Sequence, residues 1–162
     1  MLRRTAVSSF TIFALAVVAL TTPVSAQSTS GPQTQSPSKQ LMRDIWDGWA
    51  TLDTANVSRF YDKNATDTFF DVTPLKYKGW SAYESGVKSV LAQWQSMKAT
   101  INDDAEVHAN GNLYWGTATV HLEITPKQGN PMNLDVRWTA LWQKQAKQWL
   151  IVHEHVSTPM QQ

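Results

Sequence analysis

The chain has 162 residues, of which 42% are hydrophobic, and this length allows one ordinary domain but is short for two. It contains eight tryptophans and no cysteine, which excludes disulfides, iron–sulfur clusters, thiolate zinc sites and a cysteine nucleophile. The formal net charge is +1 without a long basic run, so the sequence does not support nucleic-acid binding.

The first 26 residues have the pattern of a secretion signal. Arg3 and Arg4 make its start positive, and residues 6–20 form an apolar run without a charge. Pro23 ends the run, and Ala26 is a small residue at the expected cleavage position. The run of about 15 residues is shorter than the ~20 of a membrane-spanning helix, so cleavage is favoured over a retained anchor. We predict a signal peptide at 1–26 and an exported protein, periplasmic or secreted, without membrane association after cleavage.

Residues 27–38 are predicted to be a disordered linker. They contain neither a charge nor a large apolar side chain, so burial cannot offset the entropy lost on ordering them. The predicted domain is then 39–159. Without Arg3 and Arg4, 12 basic residues stand against 13 acidic ones, which makes the net charge −1 with neutral histidines.

Two helices are predicted in the first half of the domain. The first begins with Ser36 as its N-cap and Pro37 in its first turn. Its apolar side chains are spaced three and four residues apart: Leu41, Met42, Ile45, Trp46, Trp49 and Leu52. A shorter helical segment at 54–62 and a strand at 68–72 follow. The second helix covers 80–97, and Gly86 inside it indicates close packing, since glycine costs about 1 kcal/mol relative to alanine there.

After residue 97 the hydrophobic period changes from that of a helix to that of a strand. Four strands are predicted, at 99–109, 113–125, 132–145 and 149–158. The three connecting segments, at residues 110–112, 128–130 and 145–147, have the composition of hairpin turns. Helices followed by a run of antiparallel strands predict an α+β fold, with the helices on one side of a curved sheet.

Eight tryptophans are more than a small core needs, and they favour an aromatic-lined cavity or interface. Three lie on the predicted helical core faces: Trp46, Trp49 and Trp94. Two share a strand face and are assigned to a packed or dimeric outer surface: Trp138 and Trp142. Three aromatic residues are expected to reach the cavity: Trp80, Tyr83 and Trp115.

His153 and His155 lie two residues apart on the last predicted strand, so their side chains share a face. A histidine in an aromatic pocket titrates near neutrality and is a candidate general acid or base. Arg137 on the preceding strand could hold an anionic group, or it could only brace the sheet through an ion pair. A metal bound by these histidines with His121 or Asp135 is an alternative, but without a diagnostic ligand cluster no metal is predicted.

Segments 137–142 (RWTALW) and 149–159 (WLIVHEHVSTP) resemble the closing hairpin of SnoaL-like domains, which belong to the nuclear transport factor 2-like superfamily. Segments 74–83 and 113–115 agree with this resemblance, which covers about residues 40–159. It implies an α+β cone in which N-terminal helices pack on a strongly curved antiparallel sheet around a central pocket. It also implies that dimers through the sheet are common and that enzymatic relatives need no cofactor.

The resemblance implies that Arg137, His155 and Trp115 face the pocket and that Asp71 and Tyr77 lie near its mouth. The candidate catalytic residues are His155 and Asp71. The candidate ligand-binding residues are Arg137, Trp115, Tyr77, Trp80, Tyr83 and His153. No cofactor is predicted.

These features favour an exported domain that binds a small organic ligand, expected to be anionic, in an aromatic-lined pocket. One alternative is a cofactor-independent isomerase or dehydratase in which His155 or Asp71 is the general base. The other is a dimeric assembly module without catalysis. We also expect the protein to be a homodimer.

Overall fold

The computed structural model describes residues 35–160, so the predicted signal peptide and most of the predicted linker lie outside the described residues. Two α-helices and seven strands follow one another: α1 (Lys39–Ala50), β1 (Thr68–Phe70), β2 (Tyr77–Lys78), α2 (Gly79–Leu91), β3 (Trp94–Ile101), β4 (Glu106–Asn110), β5 (Leu113–Pro126), β6 (Met132–Gln145) and β7 (Gln148–Ser157). Two 3₁₀ turns, Thr54–Asn56 and Ser58–Phe60, fill the segment that was predicted to be a short helix.

The strands form one sheet in the order β2-β1-β7-β6-β5-β3, and β4 also pairs with β5. All neighbouring strands are antiparallel except β1 and β7, which are parallel. The helices pack against one face of this sheet, where Trp46 of α1 contacts Trp138 of β6 edge-to-face and Tyr83 of α2 stacks on Phe69 of β1. The predicted α+β cone is therefore confirmed.

Helix α1 forms on the predicted apolar face but starts later than predicted. Ser38, not Ser36, is the N-cap, and its side-chain oxygen accepts a hydrogen bond from the Leu41 backbone N–H at 3.2 Å. Both serines have suitable chemistry for a cap, so composition alone could not choose between them. Pro37 is buried just outside the helix.

The second predicted helix is too long at its C-terminus. Helix α2 ends at Leu91, and Trp94 and Met97 belong to strand β3, which pairs with β5. A spacing of three residues fits the helical period, and neither glycine nor proline marks the end, so the pattern was ambiguous. The predicted strand at 99–109 is divided into β3 and β4, because Asp104 accepts hydrogen bonds from the Thr119 backbone N–H and forms a corner there.

Gly86 is in close contact with Tyr77, as the sequence indicated. A Cβ atom at residue 86 would lie 2.1 Å from Cε1 of the Tyr77 ring. That ring is buried, and its hydroxyl donates to the Thr73 carbonyl oxygen at 3.2 Å, so it cannot move away without losing contacts.

We therefore expect Gly86→Ala to lower the free energy of unfolding by about 1–3 kcal/mol, as overpacking does. The helix propensity of alanine alone would raise it by about 1 kcal/mol. Urea denaturation should compare this variant with Ser85→Ala, at an exposed position of the same helix. A stabilised Gly86→Ala variant would contradict the contact.

Within residues 35–160, no helix is long and apolar enough to cross a membrane.

Candidate functional site

A cavity of about 180 Å³ lies between the helices and the sheet. Most of its lining is apolar, with Val87, Leu91 and Leu122 among the aliphatic residues and Trp46, Trp49, Tyr83 and Trp94 as the aromatic ones. Val72 and Thr73 also line it and are exposed, so the cavity reaches the surface beside them. Its polar lining groups are few, which is typical of small-molecule sites.

Glu154 is the buried polar centre of this cavity. It lies on β7, is only 1% exposed and accepts hydrogen bonds from three side chains. The hydroxyls of Tyr61 and Tyr83 donate to Oε2 at 2.6 and 3.1 Å, and Nε1 of Trp138 donates to Oε1. Trp49 in turn donates its Nε1–H to the Tyr61 hydroxyl at 3.1 Å. The carboxyl group is thus held in one orientation by donors from Tyr61, which follows the second 3₁₀ turn, and from α2 and β6.

Burial changes the protonation of this network. Desolvation raises the pKa of Glu154 from its ordinary 4.5 to about 7, and the negative charge of Asp71 adds to the rise. The hydrogen bonds from Tyr61, Trp138 and Tyr83 favour the ionised form and oppose the shift. Desolvation also raises the pKa of Tyr61 and Tyr83 well above the usual value, with the Glu154 charge as the second cause. Both tyrosines therefore remain protonated donors at neutral pH.

Asp71 is the second carboxyl group that lines the cavity. It follows β1, next to the exposed Val72, and its Oδ1 accepts a hydrogen bond from the Val72 backbone N–H at 2.7 Å. Desolvation raises the pKa of Asp71, and this hydrogen bond partly opposes the rise. Because Asp71 is half-buried at the mouth of the cavity, it is accessible to a bound molecule and can exchange protons with solvent.

The predicted pocket positions of His153 and His155 are wrong. A bulge in β7 pairs Leu141 with His153 and Trp142 with Ile151, so Val152 is extra and the alternation reverses there. Glu154 and Val156 therefore point to the cavity, and His155 is exposed on the opposite face of the sheet. His153 is half-buried there, 2.8 Å from the Thr68 carbonyl oxygen through Nδ1, and the Phe70 ring contacts both histidines.

Arg137 and Trp115 also lie on the outer face, which corrects their predicted position in the pocket. Arg137 is exposed between buried Val136 and buried Trp138 on β6. Trp115 stacks on His108, with ring centroids 5.2 Å apart. Conversely, Trp138 and Trp142 were assigned to an outer surface but are buried on the cavity side. Both faces of β6 carry apolar residues, so the alternation could not say which one turns inward.

The three remaining aromatic candidates lie together in the core. Tyr83 lines the cavity. Tyr77 and Trp80 are buried beside it, with ring centroids 5.3 and 6.0 Å from Tyr83, but they are not among the lining residues. Nζ of Lys63 lies 3.8 Å from the centroid of the Trp80 ring. Tyr77 and Trp80 therefore support the position of Tyr83 and do not themselves reach the cavity.

Glu154 was not among the predicted site residues, although the sequence contains a signal for it. Glu154 alternates with Val152 and Val156, and a lone carboxyl group among aliphatic neighbours on one strand face is a candidate for burial. Tyr61 is also buried in the core and was not predicted to belong to the site. Its role as a donor depends on the parallel pairing of Tyr61 with Ile151, which the sequence pattern does not predict.

Substitutions on the outer face are expected to leave the cavity unaffected. We predict that His155→Ala and Arg137→Ala each change the free energy of unfolding by no more than about 0.5 kcal/mol. If the cavity binds a small ring compound such as 4-ethylphenol, both variants should retain the increase in Tm that this compound is then expected to cause in the unmodified protein. Loss of that increase in a variant that stays folded would place the outer face in the binding site.

Within residues 35–160, no group of three or more His, Cys, Asp or Glu side chains is placed to hold a metal ion.

A family model described as SnoaL-like domain matches residues 39–161 of the chain, which includes all the helices and strands. No curated protein matches the chain in sequence.

Three solved structures with this fold are similar in structure and distant in sequence. An NTF2-like superfamily protein from Salmonella enterica serovar Typhimurium has a TM-score of 0.67 at 17% identity, covering 76% of this chain and 92% of its own. An NTF2-like protein of unknown function from Pseudomonas putida has 0.65 at 23%, covering 76% and 84%. A candidate dehydratase of the NTF2-like family from Streptomyces avermitilis has 0.66 at 12%, covering 76% and 94%. At these identities the likeness establishes the fold alone.

Proposed function

Because the chain belongs to the SnoaL-like domain family, we propose that it binds a small, mostly apolar organic molecule in the cavity above Glu154. The observation that carries the proposal is the apolar cavity of about 180 Å³ that ends on a buried carboxyl group with three hydrogen bonds. Rigid aromatic side chains with a few fixed polar groups are what ligand sites use for affinity and orientation.

Size and charge narrow the class of ligand. The cavity is smaller than the roughly 300–1,000 Å³ of drug-sized sites, so a single-ring compound fits better than a polycyclic one. The described lining contains two carboxyl groups, Asp71 and Glu154, and neither lysine nor arginine. This favours a neutral molecule with a hydrogen-bond donor over the anionic ligand that the sequence suggested.

Asp71 is the carboxyl group proposed to accept the donor of the ligand. We expect Asp71→Asn to weaken binding of 4-ethylphenol, a neutral single-ring probe with one donor, by about fivefold, because a bond to a charged acceptor is replaced by a neutral one. Calorimetric titration of both proteins measures the change, and Asp135→Asn on the outer face is the matched control. Equal affinity in all three proteins would remove Asp71 from the site.

A second candidate function is cofactor-independent acid–base catalysis. Its support is Asp71, an accessible carboxyl group whose pKa is raised by burial and which lines a mostly apolar cavity. Asp71 would take a proton from the carbon beside a ketone carbonyl, leaving an enolate that regains a proton from the same group. In D₂O this step exchanges the methyl protons of acetophenone for deuterium, which NMR detects. Exchange no faster than with Asp71→Asn would count against catalysis.

We further propose that two copies of the protein form a dimer through the outer face of the sheet. Trp115, Leu141 and His153 lie side by side across β5, β6 and β7 on that face. Leu141→Glu should then convert the dimer into a monomer in analytical ultracentrifugation.

We also propose that the protein is exported and that its signal peptide is cleaved. Cleavage after Ala26 would make Gln27 the N-terminal residue in a mass spectrum of protein from the exporting host. A mature chain that begins before residue 27 would oppose the predicted cleavage.

A further inference from the structure

A second pocket lies on the surface next to the cavity. Its volume is about 560 Å³, against about 180 Å³ for the cavity. The start of β3 and the connection between β5 and β6 line it, through residues 93–94, 126–130 and 132. All of these residues are exposed except Trp94 and Pro126, which are half-buried. The pocket is therefore open to solvent, and its volume is within the ~300–1,000 Å³ of ordinary ligand sites.

Trp94 borders both spaces. Within residues 35–160, it is the one residue that the lining of the cavity and the lining of the second pocket share. Its side chain is half-buried and packs against the hydrophobic core. Its backbone begins β3 and pairs with Pro126 of β5. The cavity and the second pocket therefore meet at Trp94.

The backbone around Trp94 is held from both sides. The Lys127 backbone N–H donates to the Gln93 carbonyl oxygen at 2.8 Å, which joins the β5–β6 connection to the residue before β3. The pairing of Ile124 with Met132 closes the same hairpin. Because these contacts fix the main chain, the indole of Trp94 is the part of the boundary that a substitution can remove.

The second pocket offers apolar surface to a chain that passes Trp94. Pro126 and Met132 both line it, and Met132 is 48% exposed. Each methylene group that is fully buried improves binding about fourfold. An alkyl substituent on the ligand would therefore increase the affinity if it could enter the second pocket.

We propose that Trp94 is a specificity-determining residue that limits the ligand to a single ring with short substituents. Its indole closes the cavity against the second pocket, so a longer substituent clashes with the indole before it reaches the open space behind. This inference rests on the proposed binding function and specifies the size of the ligand. The ligand class is then a one-ring compound such as a short-chain alkylphenol.

Two probes test this boundary. 4-Ethylphenol and 4-pentylphenol share the ring and the hydroxyl, and they differ by three methylene groups. Calorimetry gives both Kd values for the unmodified protein, for Trp94→Ala and for Val90→Ala. Val90 is the matched control, because it is half-buried like Trp94 and lines the cavity but not the second pocket.

We expect the unmodified protein to bind 4-pentylphenol no more tightly than 4-ethylphenol. In Trp94→Ala the ratio of the two Kd values should shift at least about tenfold in favour of 4-pentylphenol, since most of the added chain becomes buried. Val90→Ala should shift the ratio by less than about threefold. Trp94→Leu leaves a smaller side chain in place and should give an intermediate shift, and it replaces Trp94→Ala in the test if circular dichroism shows the alanine variant to be unfolded.

Amide signals of the second pocket report where the chain lies. In ¹⁵N-labelled Trp94→Ala, saturation with 4-pentylphenol should move the backbone amide signals of Lys127, Gly129 and Asn130, and saturation with 4-ethylphenol should not. In the unmodified protein neither probe should move them. This readout separates a chain in the second pocket from one in an enlarged cavity.

The results that would overturn the proposal are distinguishable. If 4-pentylphenol moves the second-pocket signals of the unmodified protein, or if the Kd ratio is the same with and without the indole, the role of Trp94 is wrong and the binding function stands. If neither probe binds at saturating concentration, the proposed binding of small ring compounds fails together with this inference.

Discussion

Replacing Glu154 with alanine is expected to lower the free energy of unfolding by about 3 kcal/mol or more. Three buried donors, on Tyr61, Tyr83 and Trp138, would lose their acceptor, and each unpaired buried group costs about 1–3 kcal/mol. Removing the carboxyl group also removes the cost of burying it, so the net loss of stability is well below three times the largest cost of one unpaired group. Urea denaturation at pH 6 measures the change.

Two variants show whether the effect comes from the network. Glu154→Gln keeps the shape and one acceptor, so its loss should be clearly smaller than that of alanine. Glu123→Ala removes an exposed glutamate that pairs with Lys98 at 2.6 Å, and such surface pairs contribute at most about 1 kcal/mol. If Glu154→Ala costs no more than Glu123→Ala, the buried network does not hold the site together.

The second large effect is a loss of stability as the pH rises. The pKa of Glu154 is raised in the folded protein to about 7, so the folded state binds the proton more tightly than the unfolded chain does. The contribution of this group is therefore fully present below about pH 4.5 and is lost as the pH rises to about 7. The difference between the two pKa values corresponds to about 3 kcal/mol.

The measurement compares the free energy of unfolding of the unmodified protein with that of Glu154→Gln from pH 4.5 to 7.5. The unmodified protein should lose about 3 kcal/mol relative to the variant over this range. Burial also raises the pKa of Asp71, and its contribution has the same sign in both proteins. If the unmodified protein instead gains stability relative to Glu154→Gln as the pH rises, the prediction is contradicted. The hydrogen bonds from Tyr61, Tyr83 and Trp138 would then outweigh the desolvation of Glu154.

The fold was predictable because its strongest signals are local. The helical spacing from Leu41 to Trp49 and the strand period after residue 97 define which elements form, and Gly86 marked a real contact. The boundaries were less certain because Trp94 and Met97 fit both periods. The pairing of β1 with β7 brings distant segments together, and no short-range pattern contains that information.

The site was harder to predict because one extra residue decides it. The bulge at Val152 changes which face of β7 points inward, and strict alternation cannot predict such a change. Alternation also left the inward faces of β6 and β7 undetermined, and the resemblance to SnoaL-like domains assigned Arg137 and His155 to the pocket. Asp71 and Tyr83 were identified and do line the cavity, since each follows from its own chemistry and not from a register.

Chemical-shift mapping with 4-ethylphenol tests most directly whether the cavity is the binding site. In ¹⁵N-labelled protein, the largest backbone amide shifts should occur at residues that line the cavity: Tyr83, Val87, Leu91, Val136 and Val156. Amides of the outer face, such as those of Trp115, Arg137 and His155, should move little. Shifts concentrated on the outer face, or no shifts at saturating probe, would contradict the account.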